Sequence, residues 1–124
     1  MLKNFIALGG LSAALAVILG AFGAHALKTK LEPSMLEVYQ TAVHYHLAHS
    51  LGLVLIGIAA LGLGSGGLMR ASGWVMLAGI LLFSGSLYAL TLTGQRWLGA
   101  ITPFGGIAFI VAWILLAVAA LRHG

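Results

Sequence analysis

The stretch Thr41–Leu53, TAVHYHLAHSLGL, sets His44, Tyr45, His46 and His49 at the head of an apolar run that continues to Leu63 without a charge. Such a segment belongs either in the core of a large protein or in lipid. Composition decides between them. Of 124 residues, 61% are hydrophobic and only 6% charged, and the mean hydropathy is +1.11. A soluble domain carries about a quarter charged residues, so this inventory cannot cover a surface facing water. Lipid is the solvent.

Working outward, the helix that carries these histidines has a readable start. Ser34 followed by Glu37 forms a capping box, and Pro33 halts what precedes it. At about 1.5 Å per residue, Met35–Leu63 would be about 43 Å long, against a hydrocarbon core of about 30 Å. Its first turns therefore rise into the headgroup zone. His44 and His46 are expected near that interface, and His49 about a turn deeper. Three more apolar segments, Asn4–Leu27, Arg70–Thr93 and Pro103–Leu121, are long enough to cross a bilayer or nearly so. Backbone groups in lipid must be satisfied within the segment, so all four are helices. Short breaks at Leu27–Ser34, Gly64–Leu68 and Gly94–Thr102 make neighbours antiparallel. The expected fold is all-α: one domain over residues 1–124, an integral-membrane four-helix up-down-up-down bundle with both termini on one side.

The first segment also resembles a signal peptide, with Lys3, an apolar run and Ala24-His25-Ala26 as a cleavage site. Its apolar run outlasts a usual leader core, and its basic start is weak, so it reads as the first crossing. Ala16, Gly20 and Ala24, with Gly9, Gly10, Ala13 and Gly23 nearby, give it a small-residue stripe that suits close packing and a central place in the bundle. In the third segment Arg70 and Trp74 form an interfacial pair. Thr102-Pro103 reads as a cap and first helical residue for the fourth, and Trp113 in its middle suggests an indole N–H facing a partner inside the bundle. GAFGAHAL at Gly20–Leu27 and FSGSLYAL at Phe83–Leu90 echo each other, which two tandem helix pairs and convergent apolar composition explain about equally well.

Antiparallel threading gathers the polar side chains on the loop side: His25, Tyr39, Tyr45, His46, His49, Ser84, Ser86, Tyr88 and Thr102 among them. Polar groups inside a membrane are costly and face the bundle interior or a cavity. His25, Tyr45, His49, Ser84, Ser86, Tyr88 and Thr102 are therefore the candidate ligand-binding residues. Tyr88 and Tyr45 are the expected partners of His49 and His25, as a polar clamp between helices ahead of a proton relay. His44 and His46 are expected to bond water, headgroups or nearby carbonyls. A metal or haem site would need His25, His46 and His49 together; the acids are only Glu32 and Glu37, and cysteine is absent, which weighs against it. No nucleophile–base set, phosphate loop or nucleotide fingerprint is present, so neither an enzyme nor a cofactor is expected.

A net charge of +4 rests on six basic and two acidic residues and does not form a nucleic-acid footprint. Lys3, Arg70 and Arg122 fall on the terminal side and Lys28, Lys30 and Arg96 on the loop side, which leaves the charge rule for orientation balanced. The amino terminus and the loop-side acids favour both termini in the cytoplasm. The expected partners are membrane lipids, a second copy of the chain or a partner membrane subunit. The runner-up reading is a transporter or proton channel lined by His25, Tyr45, His49 and Tyr88.

GAFGAHAL at Gly20–Leu27, YQTAVHYHLAHSL at Tyr39–Leu51, LFSGSLYAL at Leu82–Leu90 and TPFGG at Thr102–Gly106 together resemble the YgdD/YwdK-like small bacterial inner-membrane proteins, which have a mitochondrial-type relative in animals. By that resemblance the family positions are Gly20, Gly23, His25, Thr41, Tyr45, His49, Ser84, Gly85, Ser86, Tyr88, Thr102, Pro103 and Gly106. The resemblance implies a four-helix integral membrane protein of the bacterial inner membrane, and implies no activity, substrate or cofactor.

Overall fold

A computed structural model describes residues 2–64 and 66–123. Ser65, in the expected Gly64–Leu68 turn, lies outside the described residues, as do Met1 and Gly124. Four stretches are long and apolar enough to cross a membrane: Lys3–Leu27, Pro33–Leu63, Gly67–Thr93 and Arg96–His123. The first three are the first, second and third helices; the fourth helix proper is Thr102–His123, preceded by a tight turn at Arg96–Ala100. Gly23 lies against Tyr39 and Gly9 against Val54; Ser84 bonds the Ala42 carbonyl and Gly52 lies against Met76; Gly105 lies against Phe83 and Gly79 against Phe109. Residue numbers run in opposite directions across each pair of sequential neighbours, so the threading is up-down-up-down.

The second helix begins at Pro33, with Glu32 as the last extended residue and no side chain capping it. This corrects the capping box. Proline has its φ set for the first helical position and no N–H to satisfy, so it supplies the start and leaves Ser34 inside the first turn. Downstream, Gly64 (φ 88°) and Gly94 (φ 76°) end the second and third helices in conformations that L side chains rarely adopt.

The centre of the bundle is not the first helix. Of the most apolar stretch of each crossing, 44% is buried in the second and 39% in the third, against 17% in the first and the fourth. The reason lies in spacing. Buried positions of the second helix run Tyr39, Ala42, His46, His49, Leu53, Ile56, Ala60, alternating steps of three and four, the seam of left-handed helix packing. The first helix answers with one narrow line, Phe5, Gly9, Ala16 and Gly23, while Gly10 and Ala24 face outward. A single line of small residues binds one neighbour closely, and it does not surround a helix.

Rings seat in glycine notches across these seams. Phe5 fills the space at Gly73, Tyr39 that at Gly23, Phe109 that at Gly79 and Trp113 that at Gly52. Trp113 thus turns the edge of its six-membered ring to Gly52, and its N–H has no hydrogen-bond partner among the described residues.

Each odd-numbered helix contains one widened turn, at Gly23–Leu27 and at Ile80–Ser84. An inserted residue of this kind shifts the register of everything after it. In the third helix, steps of three and four from Met69 through Ser72 and Met76 reach Gly79; within the wide turn Ile80 and Ser84 are buried while Phe83 is not, and the line continues to Leu87 and Thr91. Ser84 is thereby brought against the second helix, where its hydroxyl donates to the Ala42 carbonyl at 2.8 Å. Phe83 is turned toward the fourth.

A methyl group on Gly105 would run into the backbone of Phe83, which cannot yield as a side chain could. Gly105→Ala is expected to cost about 1–3 kcal/mol of stability in detergent, as overpacking does. Gly85, where an added methyl meets open space, is expected to accept alanine with no loss or a gain of up to about 1 kcal/mol. Thermal unfolding of the two variants side by side makes the comparison, and equal losses would contradict this packing.

Candidate functional site

Ser12 is the one polar side chain in the apolar run Phe5–Phe22, and it lies near the middle of the first crossing. Its hydroxyl stands 2.6 Å from that of Ser50 and 3.0 Å from Nε2 of His46. Nδ1 of His46 stands 2.8 Å from the hydroxyl of Tyr88. These contacts tie the first, second and third helices together at mid-membrane. His46 is therefore deep, with 3% of its surface exposed, and not an interfacial group bonded to water. Distance from the loop does not set its depth; the residue of the first helix it meets, Ser12, does.

For a neutral imidazole, the count of hydrogens fixes the direction of every bond. Ser50 donates its one hydrogen to the His46 carbonyl at 2.6 Å. In the contact between the serines, Ser12 must then be the donor. With that hydrogen used, the imidazole must donate from Nε2 to Ser12, and Nδ1, left with a lone pair, accepts from Tyr88. The sequence of donors is Tyr88, His46, Ser12, Ser50, and it ends on the backbone carbonyl of His46 itself. A carbonyl has no proton to pass on. The arrangement is a closed clamp whose far end cannot relay.

His49 has a different environment. Its Nδ1 donates to the Tyr45 carbonyl at 2.8 Å, and its ring lies on Phe109 with centroids 3.5 Å apart and planes 13° apart. Tyr45 is parallel to it within 4° at 5.7 Å, and Trp113 stands 5.8 Å away. Phe83, released by the wide turn, meets Tyr45 at 4.5 Å and Phe109 at 5.5 Å. His49 therefore sits among aromatic rings between the second, third and fourth helices, away from Tyr88.

The expected site residues thus separate into groups. Tyr88 belongs to the clamp and Ser84 lies beside it; Tyr45 and His49 belong to the aromatic cluster. Ser86 and Thr102 bond to each other at 2.6 Å and join the third and fourth helices near the loop. His25 is exposed on the outer side of the widened turn, so it meets neither His49 nor Tyr88, and His25, His46 and His49 do not converge. Among the described residues no group of three metal-ligating side chains is found. His44 is also exposed, beside Tyr39, whose hydroxyl donates to the Leu19 carbonyl at 2.6 Å. Sequence reasoning missed Ser12, Ser50 and the depth of His46. The lone hydroxyl in an otherwise apolar first helix was the signal for Ser12, and the three-and-four spacing from Tyr39 was the signal for His46.

Two lateral openings flank the wide turn of the third helix. One, of about 360 Å³, lies between the first and third helices, with Leu11, Leu15 and Leu81 on its walls and His46, Ser84 and Tyr88 at its base. The other, of about 410 Å³, is the cleft beside Tyr45, His49, Phe83, Phe109 and Trp113.

The family described as "Protein of unknown function (DUF423)" matches residues 19–106. Among individual relatives, "UPF0382 membrane protein YwdK" of Bacillus subtilis (strain 168) is 51% identical over 122 residues, 98% of this chain and 99% of its own. A "UPF0382 membrane protein" of Staphylococcus epidermidis (strain ATCC 12228 / FDA PCI 1200) is 45% identical over the same length, covering 98% of both chains. "UPF0382 membrane protein SSP2132" of Staphylococcus saprophyticus is 48% identical over 118 residues, 94% of this chain and 96% of its own. No solved structure matches the chain.

Ser12→Ala leaves the His46 Nε2–H without an acceptor, and Tyr88→Phe leaves Nδ1 without a donor. Each is expected to lower stability in detergent by about 1–2 kcal/mol. Because both act on one connected chain, the double variant should differ from the sum by about 0.5 kcal/mol or more. Thr41→Ala, whose hydroxyl bonds only the Glu37 carbonyl of its own helix at 3.0 Å, serves as the neutral control. Additive or negligible losses would contradict the clamp.

Proposed function

The chain belongs to the DUF423 family of membrane proteins, and we propose that it is a non-enzymatic protein that holds a lipid-type amphiphile laterally in the bacterial inner membrane, with both termini in the cytoplasm. The observation that carries this reading is the groove between the first and third helices. Its volume of about 360 Å³ falls in the range of about 300–1,000 Å³ typical of small-molecule sites.

Hydrocarbon tails gain nothing by leaving lipid for a groove that is equally apolar. Retention of one lipid over others therefore has to come from the base of the groove. There the Tyr88 oxygen donates to His46 and keeps a lone pair for an incoming hydroxyl or amide donor. The clamp fixes that oxygen in place, so the acceptor is already oriented when a ligand arrives. Leucines on either wall leave room for one chain and direct the rest of the molecule back into the bilayer.

Gently solubilised protein is expected to retain one lipid-mass adduct in native mass spectrometry. Gly85 lines this groove and has open space beside it, so Gly85→Phe should fill the groove, fold normally and lose the adduct. Folded wild type without any adduct, or a Gly85→Phe variant that keeps it, would refute the proposal.

A further inference from the structure

We propose that the second opening, the aromatic cleft between the second, third and fourth helices, binds a hydroxylated aromatic ring of the phenol or hydroquinone class through Nε2 of His49. This inference does not depend on the groove between the first and third helices.

The donor to the Tyr45 carbonyl fixes the His49 tautomer: Nδ1 carries the hydrogen, and Nε2 carries the lone pair. The side chain is 8% exposed. Nε2 has no partner among the described residues, yet it is not sealed inside, since none of the buried side-chain nitrogens or oxygens there lacks one. It opens on the cleft that His49 lines. The imidazole cannot turn away, because Phe109 covers one face at 3.5 Å. A lone pair held in this way asks for a hydrogen-bond donor.

The walls select what carries that donor. Tyr45, Phe83 and Trp113 present ring surfaces, and aromatic pairs gain beyond their buried area when stacked or set edge to face. A quaternary ammonium could also use such walls, but it has no N–H or O–H for Nε2. It would also bring an unpaired charge beside Phe109, about 11 Å along the fourth helix from its start at about 1.5 Å per residue, well inside the hydrocarbon. A neutral ring bearing a hydroxyl satisfies the nitrogen, the walls and the depth together. The cleft volume of about 410 Å³ leaves space for a ring and the start of a tail.

Of the three tryptophans, Trp113 borders the cleft and Trp74 and Trp97 do not. In full-length protein carrying Trp74→Phe and Trp97→Phe, adding decyl-hydroquinone is expected to change the Trp113 emission saturably. The dimethyl ether of the same ring, which has no donor, should bind about tenfold more weakly, and His49→Phe should erase the difference between the two. Tailless hydroquinone binding equally well would support the site with a soluble source, and tighter binding of the decyl compound would support it with a membrane source. If His49→Phe does not fold, Gly106→Leu, placed on the cleft wall where a Cβ has ordinary contacts, should abolish the signal. Equal affinity for hydroquinone and ether, a signal that survives Gly106→Leu, or no saturable change at all would overturn the proposal. So would a haem absorbance band in the purified protein.

Discussion

A hydrogen-bond donor in the middle of a bilayer has no water to turn to, and the fold is arranged around meeting that demand at His46. Leaving a polar group unsatisfied at that depth is costly. The bonds from Tyr88 through His46 and Ser12 to Ser50 use every available hydrogen and finish on a backbone carbonyl. Because the participants come from three helices, satisfying them also sets which helix faces which. Apolar surface alone could not do this, since lipid competes equally for every leucine.

Close approach makes those bonds reachable. Gly9 lets the first helix lie against Ser50 and Val54, and Gly23 admits the Tyr39 ring. The wide turn at Ile80–Ser84 then divides the labour of the third helix. Ser84 is carried inward to the Ala42 carbonyl, and Phe83 is carried outward to the rings around His49. One inserted residue thus separates a saturated polar clamp from an aromatic cleft that still offers a lone pair. The clamp is structural in character, and the cleft has unused bonding capacity.

Four crossings were legible because the composition admits no water-facing surface and the breaks hold Pro33, Gly64 and Gly94. The gathering of hydroxyls and imidazoles was legible from threading. Their pairing was not, because periodicity on one helix cannot say which turn of a neighbour lies opposite. His25 shows a second limit: it stands two residues after buried Gly23, on the opposite side of the first helix from the seam, and is exposed. His46 illustrates the converse. Its neighbours at Tyr39, Ala42 and His49 already described the buried seam, and reading that seam would have placed it among the core residues.

The tautomer of His46 in a lipid bilayer tests the closed clamp most directly. Nitrogen-15 spectra of histidine-labelled protein distinguish a protonated from a bare ring nitrogen, with the His46 signals identified by their loss in His46→Gln. The account requires a neutral ring with hydrogen on Nε2 and a lone pair on Nδ1. Hydrogen on Nδ1, or a charged imidazolium at neutral pH, would contradict the order of donors from which the rest is built.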